Sequence, residues 1–169
     1  KESKEDSCFS TGTKIMMSDG SEKSIEDIKK GDKIIGYTGQ INTVTDLQVT
    51  KLGLRTLYGF GGKGFFTIEH PFLTSDGWRA VDNKETLKEN PSFKDLDKMQ
   101  VGDKLFLGTK VEEGVSYIHR PIKNIIRTNR DEYSKDEIVY NVLCDGNHTY
   151  HANGFVVHTI QPSFDATYV

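Results

Sequence analysis

The chain has 169 residues and a formal net charge of −3 at pH 7, with Lys and Arg interspersed among Asp and Glu. This length fits one domain with a buried core, and the weak, mixed charge disfavours binding to nucleic acid or to a membrane surface. Sixteen glycines against four prolines, together with β-branched and aromatic runs, predict an all-β domain with many turns.

The first seven residues are charged and polar, and they do not have the apolar stretch of a secretory signal. No apolar run elsewhere reaches the roughly 18 residues that a membrane-spanning helix needs. Because the chain starts at Lys1 rather than at a Met, we expect it to be a segment of a longer protein.

Several strands are readable from apolar runs between turn residues. Residues 14–17 and 33–37 are apolar enough to be buried strands. Residues 41–51 and 55–59 are predicted to pair as a hairpin interrupted at Leu52–Gly53.

The sequence contains an internal repeat. Residues 24–35 are echoed by residues 95–106, and each copy reads as a short helical turn, a Gly-Asp turn and an apolar strand. The turn at 18–20 is likewise echoed at 75–77, and extra polar residues at 82–93 lengthen the second copy. Two copies of one β-rich unit predict a pseudo-twofold arrangement, with sites formed where the two halves meet.

Three polar stretches, 82–97, 108–114 and 128–137, separate or follow these units, and the last of them has no apolar period and is predicted to be an exposed loop. The final strands, 138–143 and 154–158, flank a turn rich in Asp, Gly and Asn.

The two cysteines do not make a disulfide framework. Cys144 lies in an apolar run and is interpreted as a small core residue, with a redox partner for Cys8 as the alternative. A reactive free thiol favours a reducing compartment such as the cytoplasm.

A small set of residues has the side chains needed for chemistry. Cys8 places a thiol just before a strand, and Thr67 and His70 place a hydroxyl and an imidazole three residues apart, ahead of a turn that Pro71 favours. The other candidates are Asn141 on a strand, His148 after a tight turn, and His158 at the end of a Val-Val run. Singly, each of these residues also has a purely structural explanation.

Taken in order, these residues resemble the Hint domain, the fold shared by inteins, hedgehog autoprocessing domains and bacterial intein-like domains. Cys8 with the turns at 18–20 and 31–32 resembles the N-terminal splicing block, and Thr67-x-x-His70 resembles the block that activates the N-terminal junction. The run 139–158, with its Asn-Gly-x-x-Val-His end, resembles the C-terminal blocks.

The resemblance implies a pseudo-twofold, horseshoe-like β domain with short helical turns and polar loop insertions. It implies a minimal domain at 8–159, without a homing endonuclease, between extein-like flanks at 1–7 and 160–169. Its expected partners are its own flanking polypeptides, and it is expected to be a monomer that binds no nucleic acid and no membrane.

The resemblance also implies a mechanism. Cys8 attacks the carbonyl of Ser7 in an N-to-S acyl shift, while His70 protonates the leaving nitrogen and Thr67 polarises or distorts the scissile bond. The resulting thioester is released by water or another nucleophile, so the domain acts as a single-turnover autocatalyst. No cofactor or metal is required.

Two departures from the intein pattern lie near the C-terminus. Thr159 stands where inteins carry Asn, and because Thr has no side-chain amide, succinimide formation is excluded there. Cleavage at His158–Thr159, through an N-to-O shift aided by His158, remains open as a second reaction. Asn141 stands where many inteins carry Asp and is unable to act as a general base, while His148 retains a supporting role.

Three alternatives stay open on the residues alone. One is a splicing intein whose C-terminal residue is atypical by nature or by engineering. Another is an inactive Hint-fold module that serves as a spacer or interaction domain. A third concerns only His148-x-x-His151, which has the spacing of a metal-binding pair but lacks further ligands at metal-site spacing.

Overall fold

β-Strands form most of the regular structure of the chain. In a computed structural model, residues 7–91, 93–128 and 133–159 are described. The fifteen strands of these ranges are β1 Phe9–Ser10, β2 Lys14–Met16, β3 Glu22–Ser24, β4 Lys33–Ile35, β5 Ile41–Lys51, β6 Tyr58–Gly59, β7 Phe72–Thr74, β8 Gly77–Ala80, β9 Asp97–Lys98, β10 Lys104–Lys110, β11 Val115–Pro121, β12 Ile126–Arg127, β13 Ile138–Cys144, β14 Thr149–Ala152 and β15 Phe155–His158. The helical elements are a 3-10 turn, Ile25–Asp27, and the α-helix α1, Asn83–Glu89. This confirms the predicted all-β class.

The strands form two main sheets and a two-stranded ribbon. The larger sheet has the order β3-β2-β14-β15-β10-β7-β8-β9, with β11 paired to β10, and it curls into a half-barrel. The smaller sheet has the order β1-β13-β5-β4, and β12 pairs with β6. The first two strands therefore pair with late ones, β1 with β13 and β2 with β14. This pairing brings the start and the end of the domain together.

The predicted internal repeat is visible in backbone conformation and hydrogen bonds. Gly31 and Gly102 both adopt a positive φ, 95° and 101°, a conformation that glycine tolerates best. The aspartates that follow them, Asp32 and Asp103, each accept a hydrogen bond on a carboxylate oxygen from the backbone N–H three residues earlier, at 2.9 Å in both copies. The two halves of the sequence thus build the same turn twice.

The predicted helical turn of the second copy is wrong. The first copy has its 3-10 turn at Ile25–Asp27, but the equivalent residues of the second copy form a turn at Asp95, with φ 57°, followed by β9. Strand β9 pairs in parallel with β8, and Asp97 lies 3.8 Å from the guanidinium of Arg79. Because these residues pair with β8, they form a strand and not a helical turn.

The predicted hairpin between 41–51 and 55–59 is also wrong. Strand β5 pairs with β4 on one side and with β13 on the other, whereas β6 pairs with β12. The chain leaves β5 at Leu52, whose N–H donates to Glu137 O at 2.7 Å and whose side chain is fully buried. An alternating strand does not specify its partner, and β13 supplies a seven-residue match that lies far away in sequence.

The polar stretch 82–97 is partly buried rather than solvated. Asp82 caps α1 by accepting a hydrogen bond from the Glu85 N–H at 3.2 Å. After the helix, Phe93 and Leu96 pack against Ala80 in a small apolar cluster of their own. Of the predicted exposed loop at 128–137, residues 129–132 lie outside the described residues, and residues 134–136 are exposed.

Aromatic rings fill the main core beneath the curled sheet. Phe9, Phe66, Phe72 and Tyr150 are completely buried, and the Phe66 and Phe72 centroids lie 4.7 Å apart. Phe9 directly follows Cys8, so this core fixes the backbone at the predicted reaction site. Among the described residues, no helix has the length and apolar character required to cross a membrane.

Candidate active site

Thr67 forms hydrogen bonds with both the backbone N–H and the backbone carbonyl of Cys8. The Cys8 N–H, which belongs to the Ser7–Cys8 amide, donates to Thr67 Oγ1 at 2.9 Å. In return the Thr67 N–H donates to Cys8 O at 3.1 Å, and the Thr67 hydroxyl lies 3.3 Å from the same oxygen. The neighbouring Phe9–Phe66 bridge aligns the two segments. The structure thus joins two of the predicted site residues at the predicted bond.

The Cys8 side chain lies in a buried, apolar environment. Cys8 is fully buried and forms an apolar cluster with Leu52, Leu57 and Val139. Both cysteines are free, and Cys144 lies in the main core, which confirms its interpretation as a core residue. Burial is the main cause that raises the pKa of the Cys144 thiol to about 12, so this second thiol is not a nucleophile at neutral pH.

His70 is a buried imidazole next to the same junction. Its backbone N–H donates to Thr67 O at 3.2 Å, and its ring lies 4.1 Å, centroid to centroid, from Phe9. Neither ring nitrogen has a hydrogen-bond partner among the described residues.

Burial lowers the pKa of His70 to about 3. The charge of His158 lowers it further, while the Pro71 backbone, which lies outside hydrogen-bond geometry, acts in the opposite direction. His70 is therefore neutral at pH 7.

Two buried carboxylates lie on the other side of the junction. Ser7 is fully buried; its N–H donates to one Glu89 oxygen at 3.0 Å and its hydroxyl to the other at 2.8 Å. The Ser7 hydroxyl also lies 3.4 Å from the backbone carbonyl of Glu69. The Glu69 carboxylate lies 4.0 Å from the guanidinium of Arg55, in a part of the site that is largely closed to solvent.

The C-terminal candidates form a second cluster. Thr159 is fully buried, its N–H donates to His148 O at 2.8 Å and its hydroxyl donates to Val142 O at 3.1 Å. His158 Nδ1 lies 2.7 Å from Thr159 O, and the His148 and His158 rings are 6.2 Å apart. The structure therefore brings His148, His158 and Thr159 together.

Aromatic rings enclose the second cluster. Trp78 and Phe93 meet the His158 ring edge to face, at centroid distances of 5.2 and 5.0 Å. His158 thus contacts both β8 and the stretch that follows α1.

Asn141 lies on β13 among buried residues. Its side-chain amide donates to Gln48 Oε1 at 2.9 Å, across the pair that the two residues form between β13 and β5. This contact ties two strands of the smaller sheet together.

The His148-x-x-His151 pair does not face a common site. His148 Nδ1 lies 2.7 Å from Cys144 O, whereas the nitrogens of His151 lie against Ile35 O and the hydroxyl of Tyr117. No group of three or more His, Cys, Asp or Glu side chains in the described ranges is arranged to hold a metal ion.

Sequence reasoning missed Glu89, Glu69 and Arg55. Asp82-x-x-Glu85 has the form of a capping box and indicates that a helix begins there. It does not indicate that the end of this helix reaches Ser7, which lies 82 positions before Glu89. That contact depends on tertiary packing.

Comparisons with known proteins agree with this fold. A family model described as Hom_end-associated Hint matches residues 8–61, so the match begins at Cys8. A bacterial intein-like domain from Clostridium thermocellum is 28% identical in sequence, covers 90% of this chain and 98% of its own, and superposes with a TM-score of 0.59.

Two further structures share the fold. A DnaB intein from Synechocystis sp. PCC 6803 is 21% identical and covers 91% of this chain and 99% of its own, with a TM-score of 0.64. The Ssp DnaB mini-intein variant M86 is also 21% identical and covers 94% and 97%, with a TM-score of 0.67.

A curated relative matches only a short segment. The catalytic polypeptide of the V-type proton ATPase of Candida tropicalis is 50% identical over 40 residues, which are 24% of this chain and 4% of that polypeptide. This short match carries nothing about proton transport to the present chain. The family model over residues 8–61, the similarity to a bacterial intein-like domain and the fold agree with one another, and together they support an intein-like domain of the Hint superfamily.

Proposed function

We propose that this self-processing domain cleaves its own chain between Ser7 and Cys8 through an N-to-S acyl shift. The observation that carries the proposal is the hydrogen bond of 2.9 Å from the Cys8 N–H to Thr67 Oγ1, which holds the amide of that bond beside a cysteine. The domain would span residues 8–159, and the flanks 1–7 and 160–169 would belong to the host protein in which it is embedded.

The atoms of the shift balance without a cofactor. Cys8 Sγ forms a bond to the carbonyl carbon of Ser7, the bond from that carbon to Cys8 N breaks, and the thiol proton ends on the released amine. Water then attacks the thioester, leaving a carboxylate on Ser7 and returning a proton to Cys8 Sγ. A thiol in place of water, such as dithiothreitol, releases the same acyl group as a new thioester.

Thr67 orients the reacting amide. Its single hydroxyl hydrogen is directed to Cys8 O, which leaves the lone pairs of Oγ1 for the Cys8 N–H. The amide is therefore held at a fixed orientation beside the side chain of its own cysteine. Fixing the geometry of reacting groups supplies much of the rate in such intramolecular steps.

His70 is proposed to move the proton. With a pKa of about 3, the resting ring is neutral, but attack by sulfur creates an oxyanion close to it. A negative charge about 4 Å away is worth about 4 kcal/mol at an effective dielectric of about 20, which favours the protonated ring by about a thousandfold. This raises the pKa of the ring from about 3 to about 6, so at pH 7 about a tenth of the rings carry a proton while the intermediate exists, and these deliver it to the leaving nitrogen of Cys8.

Splicing is not favoured at the second junction. Thr159 has no amide to cyclise, and its hydroxyl donates to Val142 O rather than toward the preceding carbonyl. The nearby His158 supports at most a slow cleavage at His158–Thr159. Asn141, with its amide on Gln48, is proposed to position β13 rather than to transfer protons.

The test is expression of the chain between two tags of different mass, followed by incubation with dithiothreitol and intact-mass measurement. We expect release of the N-terminal tag, loss of that release in Cys8→Ala, and no change in Cys144→Ala, the matched control at the buried second cysteine. A product that joins the two tags would identify a splicing intein instead. A precursor that stays intact from about pH 6 to about pH 9, the range in which a free thiol begins to ionise, would identify an inactive spacer.

A further inference from the structure

Ser7 uses both of its hydrogen-bond donors on a single side chain. The backbone N–H reaches one oxygen of Glu89 at 3.0 Å, and the hydroxyl reaches the other at 2.8 Å. Ser7 is fully buried and Glu89 is 8% exposed, so this contact is made away from solvent. The residue immediately before the proposed cleavage site is therefore held by two hydrogen bonds to the Glu89 carboxylate.

Glu89 is held in place by a helix that is built onto the active-site turn. The Thr86 hydroxyl donates to Glu69 O at 2.7 Å, and the Asp82 N–H donates to Ile68 O at 2.9 Å. Helix α1 is thereby anchored to the segment between Thr67 and His70 at two points. A movement of α1 would be transmitted both to Ser7 and to the groups that hold Cys8.

We infer that Glu89 is a positioning and specificity-determining residue, which selects a small hydroxyl-bearing residue immediately before the cut and holds the acyl half of the scissile bond. This inference rests on the proposed cleavage between Ser7 and Cys8. Glu89 binds Ser7 on the acyl side of the peptide bond, and Thr67 binds the Cys8 N–H on the amine side. Two separate elements therefore position the two halves of one peptide bond.

The selection follows from burial and charge. A buried carboxylate needs its hydrogen-bond donors, and removing one costs more than the bond itself contributes. Serine and threonine supply a hydroxyl in a small volume, whereas an aliphatic residue removes that donor from Glu89. An acidic residue at position 7 would place a second negative charge against Glu89 in surroundings that screen charge poorly.

The first test uses two substitutions of nearly equal shape, Ser7→Thr and Ser7→Val, in the tagged chain. Both add volume in the same place, but only threonine keeps the hydroxyl. We expect thiol-induced cleavage of Ser7→Val to be about tenfold slower than that of Ser7→Thr. Equal rates for the two variants would overturn the inference.

The second test asks whether the charge on Glu89 is what excludes an acidic residue. Ser7→Asp is expected to slow cleavage by about tenfold or more, and Glu89→Gln, which can donate from its amide, is expected to restore cleavage of the Ser7→Asp chain. If Glu89 only supported the fold, Glu89→Gln would slow both chains, which would contradict the inference. Melting temperatures measured in a Cys8→Ala background show whether each variant is folded.

The two proposals fail in different ways. If the unaltered chain shows no cleavage that depends on Cys8, the proposed function is wrong. If it cleaves but is indifferent to position 7 and to Glu89, only the role of Glu89 is wrong. Should Glu89→Gln fail to fold, the comparison of Ser7→Thr with Ser7→Val decides alone.

Discussion

The Thr67 hydroxyl directs its single hydrogen to Cys8 O and accepts a hydrogen bond from the Cys8 N–H. Replacing Thr67 with Val keeps the shape of the side chain but removes the acceptor for the buried Cys8 N–H. We expect Thr67→Val to slow formation of the thioester by about tenfold or more, because an unsatisfied buried donor costs about 1–3 kcal/mol and the amide is released from its orientation. The rate is measured by trapping with hydroxylamine.

Thr67→Ser is the matched control, because it retains the hydroxyl and should cleave close to the normal rate. If Val and Ser at this position gave the same rate, the hydroxyl would have no role in the reaction. The native precursor gives the full rate of thioester formation, and Cys8→Ala gives the background rate.

At this scale, the sequence predicts which site residues lie close together when they are near in the chain, but it does not predict contacts between residues that are distant in the chain. Thr67 and His70 are three positions apart, and their joining turn follows from Pro71, so their proximity could be inferred. Glu89 approaches Ser7 only because α1 packs onto the turn between Thr67 and His70. Nothing in the local pattern of a charged helix specifies which distant backbone its last carboxylate meets.

Helix α1 is short, so its cap matters for the element as a whole. Asp82 accepts a hydrogen bond from the Glu85 N–H, and Asp82→Ala removes it. We expect this substitution to lower the free energy of unfolding by about 1 kcal/mol, a typical loss for an N-cap. Urea unfolding in a Cys8→Ala background measures this, as a lower midpoint with an unchanged slope.

Asp82→Asn preserves a capping oxygen and should remain within a few tenths of a kcal/mol of the native value. Identical midpoints for the Ala and Asn variants would show that the cap contributes nothing to α1. In the active chain, Asp82→Ala should also slow cleavage more than Asp82→Asn, because a frayed helix holds Glu89 less firmly.

Strand pairing shows how far element-scale prediction extends. The strands at Lys14–Met16 and Lys33–Ile35 and the two Gly-Asp turns could be predicted, because apolar runs and glycines are local signals. The partner of Ile41–Lys51 could not, because the adjacent segment at 55–59 is close in sequence but the matching strand is Ile138–Cys144. A register over such a distance is decided by the packing of both faces of the sheet.

On the scale of the whole molecule, the fold joins its two ends and buries histidines between them. The early strands pair with the late ones, and His158 is close enough to His70 to lower its pKa. The residues proposed for the two junctions therefore lie in one part of the fold, although Thr159 lacks the amide that would complete splicing.

The buried histidines also determine how the stability of the whole domain depends on pH. Burial lowers the pKa of His70 to about 3 and that of His151 to about 4, from an ordinary value of 6.5. Because both folded-state values are depressed, the unfolded chain binds more protons below pH 6.5, and stability is lost as the pH falls toward the folded values. Each ring contributes about 1.4 kcal/mol per pH unit within its window, down to about pH 4 for His151 and about pH 3 for His70.

Urea unfolding of the Cys8→Ala chain between about pH 7 and about pH 4 measures this loss. Carboxylates contribute to the slope in every variant, so the difference between His151→Gln and the parent isolates one ring, and His70→Gln isolates the other. Each substitution should reduce the slope by about 1.4 kcal/mol per pH unit, even where it lowers stability at pH 7. Curves that run parallel to the parent over this range would mean that these rings titrate alike in the folded and unfolded chain, and that the apolar enclosure does not keep His70 neutral.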